Sequence, residues 1–411
     1  MMNLRSLPRT VWLLGAISLL NDSASELVYP LLPLYLSSVM LAGPRFLGLM
    51  EGVAESMTAI LKLASGALSD RFTTRKLPAV LGYAFAALAR PMYALVSTAL
   101  GVFALRILDR LGKALRSAPR DALLSESVPA SQRGLAFGVH RSMDHAGAVI
   151  GPLLAYGLIA GGADIQHVLM WALLPGMLCV ILAAQIKEGV PATANSAAKT
   201  TPRTWRWRSL PSPFKRYLIA LAIFSLGNSS NMFLLLRARD LGLSMSQSLL
   251  CWALMAAVAT VLTTPLASWS DRIGRKPLLV AGWLSYAALY LAFALAPSSI
   301  FALVLMFCGI GLVSAATEGV EKALVADVLD PAQKGTAFGW FYLASGLPLL
   351  PASWLFGEIW ERISPLAAFA ASASCTACAA ILMLIWVPVG RKPANIALPS
   401  KNSLFGGSKK S

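Results

Sequence analysis

Long apolar runs separated by short polar connections make up almost the whole chain. An α-helix needs about 20 mostly apolar residues to cross a lipid bilayer, and twelve runs of this kind can be marked. They cover residues 11–39, 46–68, 78–97, 98–118, 135–160, 166–186, 217–236, 248–269, 277–296, 298–317, 336–357 and 365–389. The pattern therefore predicts an all-α membrane protein with twelve transmembrane helices.

The composition excludes a soluble protein. Charged residues make up 13% of the chain and hydrophobic residues 57%, whereas about 25% of residues are charged in typical soluble domains. The mean hydropathy is +0.66. The same numbers exclude a disordered chain, a coiled coil and a secreted disulfide scaffold. The 5 cysteines lie inside apolar runs, where we interpret them as packing residues rather than metal ligands or redox centres.

Basic residues are concentrated in alternate connections. The chain has 35 Lys and Arg against 19 Asp and Glu, a formal net charge of +16. In a soluble protein this charge would suggest a nucleic-acid partner, but cytoplasmic connections of membrane proteins are also rich in Lys and Arg. We therefore expect no nucleic-acid partner. We expect a multi-pass protein of the inner or plasma membrane with both termini in the cytoplasm.

One long connection, rich in Pro, Ser, Thr, Ala and basic residues, divides the chain into two halves. We expect a six-helix bundle at 1–186, a basic cytoplasmic linker at 187–216, a second six-helix bundle at 217–390 and a cytoplasmic tail at 391–411. Two motifs recur at one constant offset: Asp70-Arg71 with Asp271-Arg272, and residues 132–138 with 333–339. Such repetition is typical of transporters built from two bundles related by a pseudo-two-fold axis.

The connection after the second run carries the most specific motif. Residues 66–76 read G-A-L-S-D-R-F-T-T-R-K, and residues 270–276 read S-D-R-I-G-R-K. The motif resembles the G-x-x-x-D-R-x-G-R-[RK] loop of the major facilitator superfamily, with Thr73 and Thr74 in place of the usual Gly and Arg. The resemblance covers all twelve runs. It implies a transporter similar to the proton-coupled drug and metabolite efflux branches of that superfamily.

We interpret the two copies of this loop as a conformational latch. Asp70 can accept hydrogen bonds from the amino end of a neighbouring helix, and Asp121 is the candidate partner of Arg75. Contacts that form in one conformation and break in the other make a two-state element. The latch residues are Gly66, Asp70, Arg71, Arg75, Asp121, Asp271, Arg272, Gly274 and Arg275. The alternative is a basic turn with a helix cap.

The fifth run contains a glycine pattern. Gly138, Gly147, Gly151 and Pro152 have the spacing G-x8-G-x3-G-P, which resembles the antiporter motif of the drug-export branches. Glycines at this spacing let another helix approach closely. The resemblance favours export over import, and packing of small residues is the alternative.

Ionisable residues inside the apolar runs are concentrated in the first half. A charge within a membrane is costly, so each one is a functional hypothesis. We predict proton coupling at Asp22, Glu51, Glu55, Arg106, Asp109, Arg141 and Asp144. Asp22 is the first choice because it lies near the middle of its run. The alternative is a static ion pair of Asp22 with Arg106 or Arg141.

Other polar and aromatic residues at similar depth predict a substrate cavity. They are Glu26, Tyr29, Arg90, Asn228, Asn231, Phe341 and Tyr342. For each of these residues, a contact between helices is the alternative.

These observations predict a monomeric secondary transporter that exports a small organic compound through the bilayer in exchange for protons. We expect no enzymatic activity, no metal and no cofactor, because the proton gradient supplies the energy. One alternative is a proton-coupled symporter that imports an organic anion or metabolite, with Arg90, Arg106 and Arg141 as its binding cluster. Another alternative is a non-transporting receptor or scaffold. The sequence contains no G-x-x-x-x-G-K-[ST] motif, the phosphate-binding loop that would indicate an ATP-driven pump.

Overall fold

The computed structural model describes residues 7–69, 76–129, 133–186, 207, 210–328 and 334–387, and these ranges are helical without a strand. The first half contains α1 (Arg9–Val28), α2 (Leu31–Ser38), α3 (Pro44–Ser69), α4 (Lys76–Met92), a 3₁₀ turn (Tyr93–Leu95), α5 (Ala99–Glu126), α6 (Arg133–Ala160), α7 (Ile165–Trp171) and α8 (Leu173–Ala184). The second half contains α9 (Ser212–Gly227), α10 (Met232–Asp240), α11 (Met245–Ile273), α12 (Arg275–Ala294), α13 (Ile300–Val328), α14 (Lys334–Gly346), α15 (Leu349–Arg362) and α16 (Pro365–Trp386). The all-α class is confirmed.

Seven segments of the described chain are long and apolar enough to cross a membrane by length and composition. They are Ala136–Ala160, Ile165–Ala184, Ser212–Asp240, Met245–Thr263, Arg275–Ala294, Ile300–Lys322 and Pro365–Trp386. Each has an 18-residue window with no more than 2 charged residues. The charged helices of the first half, including α3 and α5, are outside this set.

Several predicted continuous runs are interrupted. The run 11–39 is divided between α1 and α2, which are separated by Tyr29 and Pro30. Proline has no backbone N–H and therefore disturbs the helical hydrogen-bond ladder. Pro348 similarly precedes α15. Another interruption, at residues 228–231 between α9 and α10, contains no proline.

The predicted end of the run 98–118 is wrong as a helix end. α5 continues to Glu126 and contains Pro119 within its length. The prediction stopped where apolar residues gave way to charged ones, but hydropathy reports burial in a membrane rather than continuity of the backbone. Arg120 and Asp121 therefore lie on the helix itself and not in a connection.

Two glycines bring α3 of the first half against the backbone of α15 in the second half. A Cβ on Gly48 would lie 2.0 Å from the carbonyl oxygen of Ser353, and one on Gly52 would lie 2.7 Å from that of Leu350. Beside them, Nε of Arg45 lies 2.8 Å from Oε2 of Glu358. The two halves are thus in direct contact at the end of the molecule that carries the α2–α3 connection.

Aromatic rings join α12, α15 and α16 of the second half. Tyr286 stacks on Tyr290 with ring centroids 4.3 Å apart, and Phe293 stacks on Phe369 at 5.9 Å. Phe356 meets Phe369 edge to face at 5.0 Å. These large buried rings hold the three helices together behind the α9–α10 break.

Candidate functional site

A polar cavity of about 450 Å³ lies between helices from both halves of the sequence. α1, α3, α4 and α5 form one wall, and the α9–α10 break, α11, α13 and α15 form the other. The ionisable lining residues are Asp22, Glu26, Glu55, Arg90, Asp109, Arg110, Lys113, Arg116 and Glu318. Acids and bases are nearly equal in number, so the cavity is strongly polar and close to electrically balanced.

Five of the seven residues predicted for a substrate cavity line this one: Glu26, Tyr29, Arg90, Asn228 and Asn231. Phe341 and Tyr342 do not line it. Their rings pack on each other at 5.4 Å and on Phe338 at 6.4 Å. The sequence does not show which way these two side chains point, because their direction depends on how α14 packs.

Glu51 and Arg106 form a buried ion pair behind the cavity wall. Nε and Nη2 of Arg106 donate to the two carboxylate oxygens of Glu51 at 2.7 and 3.0 Å. The hydroxyl of Tyr29 also donates to Glu51, at 3.2 Å, and the guanidinium lies 4.6 Å from the centre of the Tyr29 ring. Bidentate pairing of this kind is the strongest form of arginine–carboxylate contact. The charges of Glu51 and Arg106 therefore neutralise each other.

Two more arginines on the cavity wall have carboxylate partners. Nε of Arg90 lies 3.2 Å from Oδ1 of Asp109, and Nη1 of Arg90 donates to the backbone oxygen of Asn21 at 2.9 Å. Nη2 of Arg110 lies 2.7 Å from Oε1 of Glu55. These contacts join α1, α3, α4 and α5 through charged side chains.

Asp22 and Asp144 bring two carboxyl groups together between α1 and α6. Nδ2 of Asn21 donates to Asp22 at 2.8 Å, and Ser18 donates to Asp144 at 2.5 Å. Nη1 of Arg141 lies 3.2 Å from Asp144. The two carboxyl groups lie close enough to interact. Because an ionised carboxylate can only accept a hydrogen bond, they can hydrogen-bond to each other only when one of them carries a proton.

The alternative static pairing of Asp22 does not occur. Arg106 is bound to Glu51, and Arg141 is bound to Asp144. Asp22 makes no ion pair within 4.0 Å in the part of the chain that the structure describes. It therefore differs from the other predicted coupling acids, each of which has an arginine partner.

Glu26 is held from the opposite half of the sequence. The indole Nε1 of Trp252 on α11 donates to Oε2 of Glu26 on α1 at 3.0 Å. The same indole ring lies 5.6 Å from the ring of Tyr29. Trp252 could not be singled out from the sequence, because it lies in an apolar run like several other tryptophans.

The α9–α10 break supplies the polar wall of the second half. Asn228, Ser229, Ser230 and Asn231 all line the cavity. The hydroxyl of Tyr286 donates to Oδ1 of Asn228 at 2.8 Å, and the backbone N–H of Ser230 donates to the hydroxyl of Ser353 at 3.2 Å. Non-helical backbone at membrane depth is tolerated where it lines a cavity, and this break meets that condition.

Lys113 and Arg116 line the cavity but were not among the residues predicted for it. Both lie within the predicted run 98–118. Both lie on α5 and line the cavity together with Arg110. Their spacing of three residues places them along one face of a helix. That regular spacing of basic residues within the run 98–118 was the available signal.

Comparison with known proteins identifies the family. A sequence model of the Major Facilitator Superfamily matches residues 11–267 and again residues 217–407. The chain belongs to this superfamily. It is 35% identical to an uncharacterised MFS-type transporter of Methanocaldococcus jannaschii over 373 residues, covering 88% of this chain and 91% of that protein.

Two other similarities concern the sequence and the fold. The chain is 25% identical to the multidrug resistance protein MdtH of Salmonella typhi, over 80% of this chain and 82% of that protein. The crystal structure of the nucleoside transporter NupG has the same fold, with a TM-score of 0.75, 13% identity, and coverage of 92% of this chain and 98% of that one. The protein is therefore a multi-pass membrane transporter of the major facilitator superfamily.

The glycine pattern lies where α6 of this superfamily member crosses α1. A Cβ on Gly147 would lie 2.4 Å from the carbonyl oxygen of Leu19, and one on Gly151 would lie 2.6 Å from that of Ser23. Gly138 has open space around it. Two of the three glycines therefore permit the close crossing that carries the two aspartates, and Pro152 lies within α6 beside them.

The second copy of the superfamily loop is a one-residue turn. Gly274 alone separates α11 from α12 and has φ of 97°, a backbone conformation that L side chains rarely adopt. Arg275 donates to the hydroxyl of Ser270. This loop holds the two helix ends close together.

The remaining latch residues are only partly described. Gly66 lies in α3, and Asp121 accepts from the neighbouring Arg120 at 2.9 Å. Asp70, Arg71 and Arg75 lie outside the described residues, as do the side chains of Asp271 and Arg272. The predicted contact between Arg75 and Asp121 and the change of contacts between conformations thus stay predictions.

Proposed function

We propose that the protein exports a small organic compound in exchange for protons, by alternating access of a central cavity to the two sides of the membrane. The twelve predicted runs would then form twelve spans in two six-helix bundles, with consecutive short helices such as α1 and α2 sharing one span. The double match of the family model supports this internal repeat. The monomer, the cytoplasmic termini and the proton gradient as energy source belong to the same proposal.

The observation that carries the proposal is the carboxyl pair of Asp22 and Asp144. Asp22 lines the cavity and has no cation in an ion pair within the described chain, whereas Asp144 is held by Ser18 and Arg141. When neither group carries a proton, the two neighbouring carboxylates repel each other. Protonation of this pair therefore changes the interaction between α1 and α6.

The coupling follows from the position of the pair beside the cavity. A proton at Asp22 removes a negative charge from the wall that faces the cargo, and loss of the proton restores that charge. The occupancy of the cavity and the protonation of Asp22 thus influence one another, as linkage requires. The close crossing at Gly147 and Gly151 transmits the change along α1.

Two observations favour export as the direction. The glycine pattern resembles the antiporter motif, and MdtH, a relative at 25% identity, is named a multidrug resistance protein. Import of an organic anion with protons is the second candidate, and the cations on the cavity wall favour it. The arginines first assigned to such a cluster, Arg90, Arg106 and Arg141, are each paired with a carboxylate.

The test uses purified protein in liposomes with a trapped pH-sensitive dye. A panel of small organic compounds is screened for those that dissipate an imposed pH gradient. Accumulation of a responding compound inside the liposomes is then measured. We expect Asp22→Asn to abolish gradient-driven accumulation while retaining exchange of labelled for unlabelled compound. The reason is that an amide keeps the size of the side chain but cannot exchange a proton.

The matched control is Glu321→Gln. Glu321 is an acid of α13 that accepts from Trp283 at 3.3 Å and is absent from the cavity lining, so gradient-driven accumulation should persist. Wild-type accumulation by the Asp22→Asn variant would overturn the proposed proton site. Inverted and right-side-out vesicles, compared under the same gradient, separate export from import. Failure of every compound to move protons would favour a receptor or scaffold.

A further inference from the structure

Two of the four cations on the cavity wall have no carboxylate partner. Arg90 and Arg110 pair with Asp109 and Glu55. Across the residues that the structure describes, Lys113 and Arg116 form no ion pair within 4.0 Å. Positive charge at membrane depth is costly unless it is compensated. The cavity as a whole is close to electrically balanced, but within the described residues these two cations have no carboxylate in direct contact.

Arg116 is the more informative of the two because it is buried. Only 4% of its surface is exposed, and its Nη1 atom has no hydrogen-bond partner in the described structure. One face of the guanidinium is covered by the ring of Tyr83, with 5.2 Å from Cζ to the ring centre. A buried guanidinium with a free donor lacks an acceptor oxygen, and the cavity is the space from which one can come.

Lys113 adds a second cation to the same space. It lies three residues before Arg116 on α5, on the same helix face, and also lines the cavity. An ammonium and a guanidinium next to each other repel when the cavity is empty. An anionic group placed between them removes that repulsion and supplies acceptors to both.

The opposite wall has hydrogen-bonding groups rather than apolar ones. Asn228, Ser229, Ser230, Asn231 and Ser353 all line the cavity. These amides and hydroxyls match polar groups on the rest of a solute. A wall of this kind does not suit a purely lipophilic compound, because its polar groups would lose their hydrogen bonds to water.

We infer that Lys113 and Arg116 form an anion subsite that binds a carboxylate or phosphate group of a polar organic solute. The inference rests on the proposed function in one respect, namely that this cavity holds the cargo. It names a chemical class for the cargo: a small acid, or a zwitterion whose anionic end lies at α5 and whose polar body faces the α9–α10 break.

The test measures binding without any gradient. The melting temperature of full-length protein in lipid nanodiscs is measured separately with each member of three matched pairs of probes. The pairs are benzoate and benzamide, succinate and succinamide, and phenyl phosphate and phenol. We expect at least one acid to raise the melting temperature while its neutral counterpart does not. The carboxylate and phosphate arms show which anion the subsite prefers.

Three variants assign the effect to the two cations. Lys113→Gln and Arg116→Gln should each weaken binding of the responding acid by about tenfold or more, because each removes a charge-assisted hydrogen bond. The double variant should lose the shift. Arg216→Gln removes an exposed arginine of α9 that donates to the backbone oxygen of Trp386, and it should retain the shift. Variants that do not fold are recognised by their elution in size-exclusion chromatography.

The inference is overturned if no acid stabilises the wild-type protein, or if the shift survives in a folded double variant. The wild-type protein provides a test even when the two substitutions prevent folding. If an acid and its neutral counterpart shift the wild-type melting temperature equally, the subsite is ruled out. Binding of acids without proton-linked transport would leave the subsite intact and remove only the proposed coupling. Proton-linked transport of neutral compounds alone would leave the proposed coupling intact and remove the anion subsite.

Discussion

At the scale of single residues, Gly147 determines how closely α1 can approach α6. A Cβ at this position would lie 2.4 Å from the carbonyl oxygen of Leu19 and 3.0 Å from Cβ of Asp22. We therefore expect Gly147→Ala to destabilise the protein by about 1–3 kcal/mol, the usual cost of overpacking a tight contact. A lower melting temperature of the purified protein would be the direct measurement.

Gly138→Ala is the matched control for this substitution. Gly138 belongs to the same helix and the same sequence pattern, but nothing lies within 4 Å of the added Cβ. Alanine also favours a helix over glycine, so this variant should be at least as stable as the wild type. Equal melting temperatures for the two variants would contradict a role of Gly147 in the crossing.

The ionisable residues of the first half illustrate what the sequence can predict at this scale. Their presence in apolar runs predicted a functional cluster, and Arg141 and Asp144, which pair in the structure, were both among its predicted residues. The partners of Glu51 and Asp22 could not be predicted, because they lie on other helices. Partner choice across helices depends on rotation and depth, which a single sequence does not determine.

At the scale of elements, the N-cap of α7 is Asp164, whose stabilising effect on the helix depends on pH. Oδ1 of Asp164 accepts from the backbone N–H of His167 at 2.8 Å and contacts Nδ1 of its ring at 2.6 Å. These hydrogen bonds, the backbone one first, hold the pKa of Asp164 below its ordinary value of 3.8. A lowered pKa means that the carboxylate stabilises the helix start above pH 3.8, and this contribution is lost as the pH falls through the lower folded value.

The comparison with Asp164→Asn tests this dependence. Asparagine also caps helices but does not titrate, so wild-type protein should lose stability relative to the variant between about pH 5 and about pH 2. Melting temperatures of both proteins, measured across this range, give the difference. A difference that is independent of pH would show that the carboxylate does not act as the cap.

The boundaries of the elements show a second limit of the sequence. The apolar runs indicated helices, but α5 extends to Glu126 because charged residues continue its helical pattern beyond the apolar part. The interruptions at Pro30 and Pro348 have a sequence signal in proline itself. The only sequence signal for the break at 228–231 is its run of polar residues, and such residues also occur within helices.

At the scale of the whole molecule, Arg45 and Glu358 link the two halves at the end of the α2–α3 connection. Nε of Arg45 and Oε2 of Glu358 are 2.8 Å apart, and the Arg45 side chain is 53% exposed. An exposed pair of this kind contributes about 0.2–1 kcal/mol. We therefore expect Arg45→Ala to increase the population that is open at this end by up to about fivefold.

Spin labels at the exposed Val39 and Ile363 provide the measurement, as a distance distribution in nanodiscs. Arg362→Ala is the control, because Arg362 pairs with the same Glu358 but from within α15. Its loss should leave the distribution unchanged. If Arg45→Ala and Arg362→Ala behaved alike, the ion pair between the halves would have no part in keeping this end closed.

The hydrogen bond between Trp252 and Glu26 has a consequence for how cargo and closure interact. It connects helices from the two halves, and the accepting carboxylate also lines the cavity. A solute with an ammonium or hydroxyl group at this position can donate to the same carboxylate. Where the solute replaces the indole as the donor, binding of the cargo also breaks a hydrogen bond between the two halves.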